Sequence, residues 1–148
     1  MALKRIIPVT KNDDQKKTGE REYLDRFFGL LDEKPAGRLI PAESPDFILK
    51  TGRKKSIGIE LTWLIPEAGK NDKHLSRELI AGCIARKDSK LDLYRKKLID
   101  RFWLLILLGK DGDRHPALHQ NTGNWGFETR FHKVFLFLTT ENSLLEIK

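Results

Sequence analysis

Apolar positions along this chain recur with two different periods, and the switches between them mark out its elements. Between Gly19 and Pro35, the residues Tyr23, Leu24, Phe27, Phe28 and Leu31 return at helical spacing. That pattern predicts an amphipathic helix with one face turned to a core. Lys34-Pro35-Ala36-Gly37 ends it, because proline cannot continue the ladder and glycine suits the exit. Phe47-Ile48-Leu49 then reads as a short, largely buried strand. Thr51-Gly52-Arg53-Lys54-Lys55 is a polar turn, and Ile57 to Trp63 is a second strand, so the two form a hairpin. In that second strand Ile57, Ile59, Leu61 and Trp63 share one face, and Gly58, Glu60 and Thr62 share the other. Pro66 and Gly69 break the pattern.

Helical spacing resumes from about Lys73 to Arg101, where Ile80, Ile84, Leu91, Tyr94 and Leu98 fall on one stripe. One long helix, or two joined near Gly82, satisfies it equally. Phe102 to Leu108 is an unbroken apolar run, the mark of a strand covered on both faces. Residues 109–126 are rich in turn signals, and a loop of that length invites a functional explanation. Val134 to Leu138 is a last buried strand, with room for one short element in Glu141 to Lys148. Residues 1–16 carry no sustained period and read as an arm, leaving 17–148 as a single domain. Helix, hairpin, helix, strand, loop and strand together predict an α/β fold with helices packed around a mixed central sheet.

Composition narrows the class. A chain of 148 residues, 39% hydrophobic and 33% charged, can bury a core without disulfide staples. Cys83 is the only cysteine, which excludes an internal disulfide and fits a reducing compartment. No signal-peptide pattern opens the sequence, and Phe102 to Leu108 is far short of the roughly 20 apolar residues of a membrane span. A cytoplasmic protein without a membrane partner is the expectation. The net charge of +7 favours a polyanionic partner, chiefly nucleic acid, against the blander reading of a well-solvated basic surface.

The chemistry lies in Asp46 and Glu60. A carboxylate inside a short apolar strand is costly unless it is protonated or paired with a cation. Asp46 stands at the mouth of the first hairpin strand and Glu60 within the second, so pairing can bring them within a few ångströms. Two carboxylates, with the Leu61 backbone carbonyl as a further oxygen, suit Mg²⁺ or Mn²⁺, which keeps several waters. One such water could attack a phosphodiester.

Glu43-Ser44-Pro45-Asp46-Phe47 followed by Ile57-Gly58-Ile59-Glu60-Leu61-Thr62 resembles the signature of the PD-(D/E)xK phosphodiesterase superfamily, notably its small bacterial and phage members. The resemblance runs from about Lys17 to Leu138. It implies a restriction-endonuclease-like αβββαβ core and a Mg²⁺- or Mn²⁺-dependent nuclease, with DNA expected ahead of RNA. It also implies a homodimer if both strands are to be cut. The superfamily usually carries lysine two residues after the second carboxylate, where this chain has Thr62. Some members supply the lysine from a neighbouring helix. Lys87, on the stripe of Ile80 and Ile84, is the first candidate and Lys90, at its edge, the second. The competing reading is that Lys87 snorkels to solvent. Glu20 shares the apolar face of the first helix with Tyr23, Leu24 and Phe27, and Lys17-x-x-Glu20 resembles the superfamily's helical carboxylate pattern. Glu20 therefore either completes the metal site or merely favours the helix N-terminus. Glu43 is a secondary ligand or a loop residue.

Other features are weaker. Pro116 separates His115 from His119 and spoils a helical zinc pair; His74 and His132 are isolated. Asp111-Gly112-Asp113 is a turn. Trp125, in the polar loop, is a candidate for stacking on bases. Arg53, Lys54 and Lys55, like Arg95, Lys96 and Lys97, could contact phosphates or form a solvated basic face. Two rival readings stand beside the nuclease. One is the same fold after loss of activity, binding nucleic acid or a protein. The other is an unrelated α/β protein whose Asp46 and Glu60 point apart.

Overall fold

The computed structural model describes residues 11–43, 45–64, 77–94, 99–109 and 126–148. Its elements are α1 (Lys11–Leu30), β1 (Arg38–Pro41), β2 (Phe47–Gly52), β3 (Lys55–Leu64), α2 (Arg77–Asp88), α3 (Leu91–Tyr94), β4 (Arg101–Leu108), β5 (Lys133–Leu138) and β6 (Ser143–Glu146). All six strands form one mixed sheet in the order β1-β2-β3-β4-β5-β6. β1, β2 and β3 pair antiparallel; β3, β4 and β5 pair parallel; β6 returns antiparallel to β5.

β4 lies at the centre, which is why its sequence is apolar without alternation. Trp103, Leu105 and Leu107 pack on one side with Ile57, Ile59, Leu61, Phe135, Phe137 and the α1 residues Leu24, Phe27 and Phe28. Leu104, Ile106 and Leu108 pack on the other with Val134, Leu136, Leu138 and the α2 residues Ile80, Cys83 and Ile84. The α/β class with helices on both faces of a mixed sheet is thus as expected, and so are the two face assignments in β3.

Several boundaries moved. α1 begins at Lys11, inside the stretch read as an arm, and Gly19 lies within it with open space where a Cβ would be. Glycine costs a helix about 1 kcal/mol relative to alanine. Tertiary burial of Leu24, Phe27 and Phe28 outweighs that. The break between the second and third helices falls at Ser89 and Lys90 rather than at Gly82. There the Ser89 hydroxyl donates to the Arg86 carbonyl (2.7 Å) and the Lys90 N–H reaches the Lys87 carbonyl (3.1 Å), tightening the last turn. β1 was not foreseen: Arg38-Leu39-Ile40-Pro41 is too short to show a period, and it is pinned by pairing with β2. β6 supplies the short element expected near the C-terminus. Most of the 109–126 loop, with Trp125, His115 and His119, lies outside the described residues, as do His74 and the Arg95-Lys96-Lys97 run. Among the described residues no helix is long and apolar enough to cross a membrane.

If these two apolar layers hold the fold, Phe135→Ala should destabilise it by about 3–5 kcal/mol in urea titration. Phe135 is 1% exposed and meets the Phe27 ring edge-on at 4.9 Å. Leu93→Ala, at a residue 63% exposed, should cost under about 0.5 kcal/mol. Equal costs at the two positions would contradict this layering.

Candidate metal centre

The hairpin register sets the site. Phe47 lies opposite Ile59 in the antiparallel pair β2–β3, so the chain just before β2 runs on beside Glu60. The Leu61 N–H donates to Asp46 Oδ2 at 2.8 Å and fixes that carboxyl at the strand mouth. Gly58 makes the approach possible. A Cβ there would stand 2.8 Å from Pro45 Cγ and 3.2 Å from both Ile99 and Phe102, so only glycine lets Pro45 lie flat on β3. Asp46 follows directly from that seat.

Glu60 is 5% exposed and is the one charged side chain buried among the described residues. It lies on the face of β3 turned to α2, and Lys87 Nζ from that helix is 3.6 Å from its Oε2. Asp46 and Glu60 are close enough for their carboxyls to share a hydrogen bond. Burial is the main force raising the Asp46 pKa, from the ordinary 3.8 to about 7, and the hydrogen bond and charge of Glu60 add to it. The Leu61 N–H and the Lys17 ammonium pull the other way.

Sequence reasoning named Lys17 only within the Lys17-x-x-Glu20 pattern and gave it no role of its own. Its Nζ donates to the Ala42 carbonyl (2.8 Å) and the Asp46 carbonyl (3.3 Å). The same ammonium lies 3.8 Å from Asp46 Oδ1, 3.3 Å from Glu20 Oε1 and 4.9 Å from the centre of the Phe47 ring. It therefore ties α1 to the segment that carries Asp46. The signal was available: Lys17 and Glu20 are helical neighbours at i and i+3. It was overlooked because the helix was expected to start after Gly19. Gly58 could have been found as an isolated glycine inside a strand.

Asp46, Glu60 and Lys87 are brought together as expected. Glu20 points inward, 14% exposed, but its neighbour is Lys17. Among the described residues no group of three or more Asp, Glu, His or Cys is placed to hold a metal ion. Glu43 is exposed in the loop. Lys90 is exposed in the turn after α2, and it is Lys87 that reaches Glu60. The Leu61 side chain belongs to the α1-side core, while its backbone holds Asp46. Thr62 turns its hydroxyl to Cys83, whose thiol pKa is raised by burial and partly brought back by Arg86, Lys87 and Thr62. Thr62 thus serves the packing of α2. His132 is structural, its Nδ1 accepting the Phe102 N–H at 3.1 Å. Arg53, Lys54 and Lys55 lie at the far end of β2 from Asp46, roughly 20 Å away along the strand, so they do not flank the carboxylates.

The donor set suits a hard cation. Two carboxylates suffice for Mg²⁺, which completes its shell with water or substrate oxygens. Burial of Glu60 and the raised Asp46 pKa both mark a place where a positive charge is favourable. No family model matches this chain, and no curated protein or solved structure matches it at a significant level.

Asp46 binds its proton more tightly folded than unfolded. The metal-free fold is therefore penalised progressively as pH rises from about 4 through 7, by about 4 kcal/mol in full. Asp46→Asn keeps an acceptor for the Leu61 N–H and offers Glu60 a donor. In EDTA it should be more stable than the parent by about 2–4 kcal/mol at pH 8, with the gain shrinking toward pH 4. Urea titrations at both pH values check this, and a gain independent of pH would refute it.

Proposed function

We propose that this chain is a metal-dependent nuclease with a restriction-endonuclease-like core, hydrolysing phosphodiester bonds with Mg²⁺ or Mn²⁺ held by Asp46 and Glu60. The observation that carries the reading is the meeting of these two carboxyls across β2 and β3. The run α1, β1, β2, β3, α2, α3, β4 follows the αβββαβ order of that core with one short helix added before β4, which supports it. So does Lys87, which stands beside the second carboxylate from α2 and so compensates for Thr62.

In this reading Asp46 and Glu60 would hold a metal ion which, when bound, would supply polarisation of the phosphoryl oxygens and a lowered pKa for a water. Asp46 and Glu60 supply the anionic oxygens, and Asp46 must release its proton to do so, so metal affinity should rise up to about pH 7. Lys87 orients the attacking water and offsets charge on the phosphate. The water oxygen bonds to phosphorus and loses its proton to solvent. The bond to the leaving oxygen breaks, and that oxygen takes up a proton. Nucleic acid, with DNA ahead of RNA, is the proposed substrate, and a cut through both strands would call on a second copy of the chain.

The second reading is a nuclease fold without activity. It is favoured by the ammonium groups of Lys17 and Lys87, which already offset part of the charge of the two carboxylates. Incubation of DNA and RNA with Mg²⁺ or Mn²⁺ separates the two. Asp46→Ala and Glu60→Gln should abolish cleavage, and Lys87→Ala should slow it about 10²- to 10⁴-fold. Cleavage that survives Asp46→Ala removes the mechanism, and absence of Mn²⁺ binding at millimolar concentration by calorimetry favours the inactive module.

A further inference from the structure

Lys17 stands in a cage of oxygens on the α1 side of the carboxylate pair. Its ammonium is 2.8 Å from the Ala42 carbonyl and 3.3 Å from that of Asp46. Glu20 Oε1 is 3.3 Å away and Asp46 Oδ1 3.8 Å, with the centre of the Phe47 ring at 4.9 Å. Two carboxylates and two backbone carbonyls are also the ligands a hard divalent cation takes. The cage therefore suits a positive charge, and the chain supplies that charge from its own α1.

The place of the ammonium is the first point. Nucleases with two metal ions hold them about 3.5–4 Å apart, clamping the attacking and leaving oxygens between them. A second ion next to one held by Asp46 and Glu60 would have to share Asp46. Asp46 Oδ2 takes the Leu61 N–H, and Oδ1 is turned to Lys17. The second point is how firmly the ammonium is held. The two carbonyls grip it independently of the carboxylates, and Glu20 Oε1 is sealed from solvent against it. Withdrawing Lys17 would take a cation from a buried carboxylate, which is costly. The third point is charge. Glu20, Asp46 and Glu60, all ionised, against Lys17 and Lys87 leave one negative charge. One divalent ion and one phosphodiester bring the centre to neutral. A second divalent ion would leave two positive charges in excess.

We infer that the Lys17 ammonium holds the place of a second metal ion, so that the centre takes one divalent cation. The count of one rests on the proposed reading of Asp46 and Glu60 as a metal pair; the exclusion of a cation from the Lys17 cage does not. The same contact keeps Glu20 out of the metal's shell, although Glu20 points inward from α1. A lysine in that place adds a single charge and no open coordination position, so a phosphate oxygen meets one metal only.

The test is calorimetric titration with Mn²⁺ at pH 8, with the electron paramagnetic resonance spectrum of the bound ion recorded beside it. The parent should bind one Mn²⁺ per chain and show the spectrum of an isolated ion. Lys17→Ala, and Lys17→Gln, which keeps an N–H for the Ala42 carbonyl, should each bind one more. Their spectra should become those of a coupled pair, as expected for ions about 3.5–4 Å apart. Adding Glu20→Gln to either should return the count to one. Both Lys17 variants should melt lower than the parent in EDTA and recover with Mn²⁺, because the ion takes over the role of the ammonium. Two ions on the parent, or no gain in either variant, overturns the inference. A parent that binds none removes the metal pair; a Lys17 variant that then binds one, lost with Glu20→Gln, still upholds the exclusion at Lys17.

Discussion

Two carboxyl groups that repel each other are held side by side by the register of one hairpin, and much of this small fold is arranged around that contact. Asp46 cannot move away, because the Leu61 N–H holds one oxygen and Pro45 is seated on Gly58. Glu60 cannot move away, because it sits in β3 between β2 and β4, where its register partner is the buried Leu104. Each helical layer then brings one ammonium group to the pair: Lys17 from α1 to Asp46, and Lys87 from α2 to Glu60. The pair is thus supported from both faces of the sheet by residues far apart in sequence.

This arrangement costs stability where no cation is bound. A group whose pKa is lifted to about 7 prefers its neutral form, so near neutral pH the ionised pair works against folding. Two lysines at 3.6 and 3.8 Å offset part of that cost, but neither offers the short, multiply hydrogen-bonded geometry that would offset all of it. A divalent cation would do so more fully, and sites that carry such residual strain are where function usually concentrates.

The strands and the burial of α1 were legible because their signals are local. Phe102 to Leu108 and Val134 to Leu138 are apolar without interruption, and the two faces of β3 alternate cleanly. Asp46 and Glu60 were legible because charge inside an apolar strand is rare enough to demand a reason. β1 was not legible, and Lys17 and Gly58 left only local hints, since what each one does is fixed by a partner distant in sequence. β1 is defined by pairing with β2, Lys17 by the carbonyls of Ala42 and Asp46, and Gly58 by the ring of Pro45. The start of α1 was misplaced because local propensity at Gly19 was weighed without the core contacts that override it.

The position of Lys87 has its own support, which links the site to the opposite side of α2. The next residue, Asp88, accepts the Arg130 N–H at 2.7 Å, Arg130 Nε at 2.8 Å and the Thr129 hydroxyl. Arg130 also reaches the Asp88 carbonyl at 2.6 Å and, through its other nitrogen, Asp92 in α3 at 2.7 Å. Asp88 is pushed up by burial, but these donors outweigh that and hold its pKa below the usual aspartate range, so the clamp persists until well into acid. One arginine therefore closes the end of α2, sets the turn into α3 and ties both to the segment leading into β5. Exposed ion pairs contribute little stability one by one. Their value here is positional: with the last turn of α2 fixed on one side by Arg130 and packed on the other through Cys83 and Ile84, the Lys87 stem has a defined origin over Glu60.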